Sequence, residues 1–301
     1  MDSSLHIAIL LSYGIIGEIK QMLKNNSTLT ASIVLYYTPL PQIESIMKSV
    51  LDSNCIKKIY IIDNSPTEEN RIFFHQFSFV EYIEHNNTGY GSSHNIALCN
   101  AFEFGSDYHI ILNPDIYFDS NVLIDLAGFM NDNKDIAYVL PKVVYPNGEL
   151  QYLCKLLPTP FDLIFRRFLP KTKWTTYLND RYELRSSGYD KIINPPCLSG
   201  CFMFMRISTL KENNILFDDR YFMYCEDFDL IRRIHRVAKT VYYPKVTIVH
   251  NHEKASYKNK KMLMTHIRSA IKYFNKFGWF FDKERRLMNT QILNEIKELT
   301  K

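Results

Sequence analysis

Glycine is scarce in this chain, 10 of 301 residues, and nowhere grouped into a phosphate cradle. Gly89 and Gly91 are too few for a Walker loop, and no GxGxxG follows the first strand, which argues against a P-loop enzyme and a dinucleotide oxidoreductase. The six cysteines (Cys55, Cys99, Cys154, Cys197, Cys201, Cys225) show no CxxC spacing. They read as reduced core thiols rather than a metal or disulfide framework. No long basic run is present and the net charge is only +4, so nothing in the charge points to nucleic acid as a partner. Long apolar runs are missing too. Leu5 to Ile16 is too short to cross a bilayer and lacks a basic flank before it, so it reads as neither anchor nor signal peptide, and the expected compartment is the cytoplasm.

What is present is a globular composition, 46% hydrophobic and 23% charged, enough to bury a core as one large domain. Residues 1–30 carry the least organised pattern and read as a peripheral segment. From Ala31 the chain alternates. Ser32 to Tyr37 is β-rich, and a Pro-initiated helix follows over 41–51, with apolar spacing at Ile43, Ile46, Met47 and Val50. Lys58 to Asp63 is a continuous apolar strand ending in the turn Asn64-Ser65-Pro66, and Val80 to Glu84 is a third strand. A helix through Phe104 then leads to the strand Tyr108 to Leu112. This βαβαβαβ order predicts an α/β fold with an open, mainly parallel sheet covered by helices on both faces.

In such sheets ligands sit beyond the carboxyl ends of the strands, which here carry Thr38, Asp63, Asn86 and Asp115. Asp63 capping a turn with Asn64 and Ser65 is the bland alternative. Two acids at adjacent strand ends also suit a base or ribose at one position and a metal-bound diphosphate at the other, since Mg2+ and Mn2+ favour carboxylates and share coordination with phosphates.

Five carboxylates crowd into Phe217 to Leu230: Asp218, Asp219, Glu226, Asp227 and Asp229. Asp218 and Asp219 read as a solvated loop. Glu226-Asp227-Phe228-Asp229 opens into Leu230-Ile231-Arg232-Arg233-Ile234, a helix start, where acids suit the helix dipole but also mark catalytic sites. Asp229 reads as the cap. Ser199-Gly200-Cys201-Phe202-Met203 is a buried strand whose head, Ser199 and Gly200, permits close approach to a ligand.

The ordered set Asp63-Asn64-Ser65, Asn86-x-x-Gly89-Tyr90-Gly91-x-x-x-Asn95, Asn113-Pro114-Asp115, Ser199-Gly200-Cys201-Phe202-Met203 and Glu226-Asp227-x-Asp229-Leu230 resembles glycosyltransferase family 2, in particular its bacterial rhamnosyltransferase-like branch, from about Ile33 to Ser256. The resemblance implies a GT-A fold, a nucleotide-sugar donor (dTDP-rhamnose favoured, a UDP-sugar the alternative), Mg2+ or Mn2+, and an inverting transfer to a glycan or lipid-linked acceptor in cell-envelope polysaccharide synthesis. It implies donor contacts from Thr38, Asp63 (to the base), Asn64, Asn86, Gly89, Asn95, Asn113 and Asp115. Asn113 and Asp115 stand in for the family's Asp-x-Asp metal motif, with one charge fewer. Ser199, Gly200 and Glu226 fall on the acceptor side, Asp227 is the general base, and a late histidine, His250 in preference to His252, joins Asp115 at the metal. Inversion itself demands a neutralised leaving diphosphate and one carboxylate within reach of the acceptor hydroxyl.

The domain reading is a peripheral segment 1–30, a catalytic domain 31–256 with an insertion at 151–195, and a helical extension 257–301. In the extension Lys272, Lys276, Lys283, Arg285 and Arg286 flank aromatics, as on an amphipathic segment lying on a membrane, at the inner face of the plasma membrane, or packed against the catalytic domain. The aromatic-basic stretch Arg166 to Trp174 of the insertion suits the acceptor or the same membrane face. A sugar nucleotidyltransferase, or a nucleotide-sugar-binding protein without catalysis, remains the alternative function.

Overall fold

The computed structural model describes residues 27–165, 169–170, 172–251 and 260–300. The expected N-terminal segment up to residue 26, Arg166, Arg167 and His252 lie outside the described residues.

The first half follows the alternation in the sequence. Strand β1 (Leu29–Leu35) leads to α1 (Leu40–Ser53), β2 (Ile56–Asp63), α2 (Glu68–Phe74), β3 (Val80–Glu84), α3 (Tyr90–Phe104) and β4 (Tyr108–Leu112). These strands lie in the order β3-β2-β1-β4 and all pair parallel. Local chemistry sets the boundaries. Proline in the first turn starts α1, Thr67 caps α2 by accepting from Asn70 N, and Gly105, left-handed at φ 73°, ends α3. Ile59 to Ile62 of β2 are buried without interruption, as a strand covered on both faces must be.

The second half breaks the parallel rule. After β5 (Ile116–Phe118), α4 (Val122–Asp132) and β6 (Ile136–Val144), a long connection carries a π turn, Phe161–Phe165, and α5 (Lys173–Tyr182). Strand β7 (Phe202–Arg206) and the short α6 (Ile207–Glu212) then precede α7 (Glu226–His235) and β8 (Lys239–His250). Strand β7 inserts antiparallel between β4 and β6, β6 and β8 pair parallel, and β5 closes the edge antiparallel to β8. The sheet is therefore mixed, and the heads of β7 and α7 reach the same end of it as the tail of β4.

Helices α8 (Lys260–Phe277) and α9 (Lys283–Leu299) are not laid outside the domain. Ile292 and Ile296 of α9 belong to the main apolar core, while Ala270, Tyr273 and Phe274 of α8 pack with Leu163, Tyr221 and Cys225. The C-terminal half of α8 thus takes the packing alternative, while Met264 and Ile271 of the same helix stay exposed. Arg232 of α7, 1% exposed, locks the arrangement. Its guanidinium makes two bonds to Asp282 (2.8 and 2.7 Å) and two to Glu284 (2.8 and 2.6 Å), and it lies 4.2 Å from the Phe277 ring centre. Removing one partner of such a pair leaves a buried charge uncompensated. Arg232→Met is accordingly expected to lower the unfolding free energy by about 3–5 kcal/mol, measured by urea denaturation. A loss under about 1 kcal/mol, the range of an exposed pair, would contradict the anchoring role.

Candidate active site

One hydroxyl joins the two sides of the site. Tyr90, at the start of α3, shares its proton between Asn113 Oδ1 just past β4 (2.9 Å) and the Gly200 carbonyl at the head of β7 (3.0 Å). Burial, reinforced by Glu226, raises the Tyr90 pKa well above the usual phenol value, so it remains a donor. Tyr138 likewise donates to the Ser199 carbonyl at 2.7 Å. Gly200 N in turn donates to Asp227 Oδ2 at 3.1 Å. Asn113, Tyr90, Gly200 and Asp227 thus form one bonded path across the end of the sheet.

The glycines on this path serve the protein's own packing. A Cβ on Gly200 would lie 2.9 Å from Asp227 Cβ, so the missing side chain lets Asp227 approach the strand head. Gly89, at φ 121°, would place a Cβ against the Phe222 backbone, and Tyr90 N donates to the Phe222 carbonyl. It seats α3 on the acidic loop. Asn95 is corrected in the same way. Its amide takes Phe217 N and gives to the Phe217 carbonyl and Asp219 Oδ1, clamping that loop.

The five acids separate by environment. Tyr224 and Cys225 are both left-handed, at φ 69° and 66°, a conformation that strains non-glycine residues and turns the chain sharply into α7. Glu226 is buried with Oε2 lacking a hydrogen-bond partner, and burial, then Asp227, pushes its pKa up to about 8. Asp227 is partly exposed. Its oxygens accept from Phe228 N (2.9 Å) and Gly200 N, and burial raises its pKa while those amides and Lys155 oppose the rise. Asp229 does not cap the helix as expected. It is fully buried and pairs with Arg233 (2.6 Å) and Lys276 (2.5 Å). Asp218 is likewise no free loop acid: it holds Arg220 and Lys276, and those partners, Arg220 first, keep its pKa well down.

At the far side Asp63 is also corrected. It is fully buried, Oδ1 accepting from Ser65 N (2.9 Å) and Oδ2 from Asn70 Nδ2 and Tyr82 Oη (both 2.8 Å). These bonds tie it to its own turn, to α2 and to β3. Asp63 organises the turn, and the accessible groups there are Asn64, whose amide bonds Ser93, the half-buried Thr38 and the exposed Asn86. Beside them Tyr36 and Tyr37 stand exposed and edge to face at 4.7 Å. Tyr37 is held at φ 50° with its N–H on Ser65 Oγ.

Asp115 and His250 meet through strand pairing, β5 against the end of β8. Asp115 Oδ1 is buried without a hydrogen-bond partner, 3.4 Å from His250 Nε2. Gln151 Oε1 lies 3.0 Å from His250 Nδ1, while Gln151 Nε2 donates to the His250 carbonyl. Burial would lower the His250 pKa, but Cys201 and Asp115 outweigh it and push it up to about 10, so without a metal the ring is an imidazolium facing Asp115 and an ion would have to displace its Nε2 proton. Among the described residues no three His, Cys, Asp or Glu side chains converge as a metal cage.

Sequence reasoning missed Tyr90, Lys155, Gln151 and the Tyr36-Tyr37 pair. Only Tyr90 carried a signal, its place inside Gly89-Tyr90-Gly91. Behind the site, Ser106, Thr30, His109, Ser32 and His94 form a buried chain of hydrogen bonds across β1 and β4. Burial lowers both histidine pKa values, His109 to about 3, so they are neutral structural groups. Burial also drives the Cys197 and Cys225 thiols well up, which makes them poor nucleophiles.

No profile of a known protein family matches the chain. It is 26% identical over 229 residues to rhamnosyltransferase WbbL of Escherichia coli (strain K12), covering 72% of this chain and 81% of the relative. It is 24% identical over 238 residues to an N-acetylglucosaminyl-diphospho-decaprenol L-rhamnosyltransferase of Mycobacterium tuberculosis (strain CDC 1551 / Oshkosh), covering 73% and 75%. S. aureus TarS residues 1-349 in complex with UDP superposes with a TM-score of 0.54 at 14% identity, over 89% of this chain and 71% of that one. The Pyrobaculum calidifontis mannosyltransferase PcManGT, in complex with GDP-Man and Mn2+, does so with 0.53 at 15%, over 89% and 75%. The chain is a glycosyltransferase of the GT-A fold. It resembles the rhamnosyltransferase-like branch of family 2.

Within this glycosyltransferase Glu226 sets a pH dependence. Its folded pKa lies above the unfolded value of 4.5, so the folded state binds the extra proton between the two. Stability is full below about pH 4.5 and falls as pH rises through about 8, by up to about 1.4 kcal/mol per pH unit for one proton. Glu226→Gln is expected to flatten the decline between pH 5 and 8 in urea unfolding. An unchanged slope would show that Glu226 is not held protonated.

Proposed function

We propose that the protein is an inverting glycosyltransferase that moves a sugar, rhamnose from dTDP-rhamnose by preference and from a UDP-sugar otherwise, onto a hydroxyl of a cell-surface glycan or lipid-linked acceptor. The supporting observation is the partly exposed Asp227 carboxylate, tied through Gly200 and Tyr90 to Asn113 and the strand end that carries Asp115. Asp227 is the base. It takes the acceptor proton as the acceptor oxygen bonds the anomeric carbon, and the bond from that carbon to the diphosphate breaks on the opposite face. Glu226, protonated beside it, keeps a second negative charge away from the incoming hydroxyl, while Ser199 and Gly200 shape the acceptor side. Thr38, Asn64 and Asn86 contact the donor nucleoside, and the exposed Tyr36 and Tyr37 are aromatic surfaces at the same strand end. Asp115 Oδ1 and His250 Nε2 would hold a divalent ion, Mn2+ suiting imidazole better than Mg2+, whose chemistry is to neutralise the leaving diphosphate. The relatives' names support the sugar and the lipid-diphosphate acceptor. The setting is the cytoplasm, at the inner face of the plasma membrane.

The test is donor binding by calorimetry with dTDP-rhamnose, UDP- and GDP-sugars, with and without Mn2+, followed by turnover on a lipid-linked acceptor. Asp227→Asn is expected to lower kcat by about 10²–10⁴-fold while donor Kd stays within about twofold. Retained turnover would remove Asp227 as the base, and binding of no donor would sink the transferase reading. Binding without turnover of the parent protein would favour a silent sugar-nucleotide receptor, and formation of a nucleotide-sugar from a sugar phosphate would favour the nucleotidyltransferase. Because Gln151 orients His250, Gln151→Ala is expected to weaken Mn2+-dependent donor binding by about 10–100-fold. Equal binding with and without Mn2+ would contradict the metal assignment.

A further inference from the structure

The turn between α8 and α9 shows its two phenylalanines to solvent and is nevertheless firmly built. Phe280 is 74% and Phe281 93% exposed, and Leu287, one turn into α9, is 60% exposed. Beneath them everything is anchored. Gly278 takes φ 103°, where a Cβ would press on the Phe281 carbonyl. The buried Arg285 guanidinium donates to the carbonyls of Pro158 (3.2 Å), Trp279 (3.2 Å) and Phe280 (3.4 Å). Asp282, also buried, caps α9 by accepting from Arg285 N and holds Arg232.

Charge is sorted at the same place. The two acids nearest the tip face inward: Asp282 to Arg232, and Glu284 to Arg232 and Arg236. Of the five cations that flank these aromatics in sequence, Lys276 is bound to Asp218 and Asp229, Lys272 to the Arg220 carbonyl, and Arg285 is buried. Lys283 and Arg286 remain exposed, and with Leu287 they lie on one face of α9 at i, i+3 and i+4. The outward surface is thus two aromatic rings, a leucine and two cations, with the neighbouring acids neutralised behind it. Exposed apolar groups of this size on a braced turn mark a contact surface, and cations beside them select a negatively charged, apolar partner.

We propose that Phe280, Phe281 and Leu287, flanked by Lys283 and Arg286, form a docking tip for an anionic phospholipid bilayer. The rings enter the interface between headgroups and acyl chains, and the cations meet lipid phosphates. Among the described residues no helix is long and apolar enough to cross a membrane, so the contact is peripheral. It would hold the enzyme at the surface where a lipid-borne acceptor resides. It touches none of the groups assigned to transfer, so either inference can fail without the other.

The full chain is sedimented with vesicles of phosphatidylglycerol and phosphatidylethanolamine, and separately with phosphatidylcholine vesicles, at low and high salt. Binding to the anionic vesicles is expected, weakened by salt and at least about tenfold stronger than to phosphatidylcholine. Two double variants, Phe280→Ser with Phe281→Ser and Lys283→Glu with Arg286→Glu, are each expected to reduce it by about tenfold or more. Their melting temperatures should match the parent, because none of the four side chains carries the packing below. Absence of parent binding, or equal binding by either double variant, overturns the proposal. So does a concentration-dependent dimer that the phenylalanine variant abolishes, since the tip would then be an interface between two copies.

Discussion

The site depends on the ion pairing of α7. This ten-residue helix begins with Glu226 and Asp227, carries Asp229, Arg232 and Arg233 along its length, and ends at Arg236, its C-cap. Asp229 is gripped by Arg233 and Lys276, while Arg232 is buried between Asp282 and Glu284. Such pairs contribute modest net stability, because desolvation offsets much of the attraction, but they are intolerant of displacement since any shift leaves a charge buried alone. The helix is thereby fixed against both C-terminal helices. The direction in which Asp227 faces is a consequence.

From that fixed helix the rest of the site follows by contact. Asp227 can approach the sheet only because residue 200 has no side chain, and the Gly200 carbonyl then receives the Tyr90 hydroxyl that also holds Asn113. The strained pair Tyr224 and Cys225 is the local cost of turning an acidic loop into a helix at this point. Burial does the electrochemical work: adjacent carboxylates in a poorly hydrated setting cannot both ionise easily, so Glu226 keeps its proton and the more exposed Asp227 is the one suited to accept one.

The parallel half of the sheet was legible because each of its strands is an apolar run ended by a turn signal, and β3 and β4 coincide with the expected spans. The antiparallel insertion of β7 was not, because nothing within Phe202 to Arg206 records which strands lie beside it. The site divides in the same way. Asp115 at a strand end and Glu226-Asp227 at a helix start could be picked out by position, while Asn113 entered only through the family resemblance. The burial of Asp63 and the inward use of Asn95, Gly89 and Asp229 could not be seen, since a carboxylate or amide facing a ligand and one facing its own turn look alike in sequence. Lys155 and Gln151 carry no motif at all. Each arrives from the long connection after β6, and only chain closure sets Lys155 near Asp227 and Gln151 against His250.

By itself, then, the sequence determined the alternating core, the strand ends where a ligand would sit, and the acid pair that opens α7, because periodicity, turn chemistry and composition are local properties. Tertiary structure alone decided which of those acids remain accessible, which glycines bring backbone against side chain, and which way α8 and α9 face. Those outcomes turn on desolvation and on pairs such as Arg232 with Asp282, fifty residues apart, and the free energy of a buried charge is defined only once its surroundings are in place.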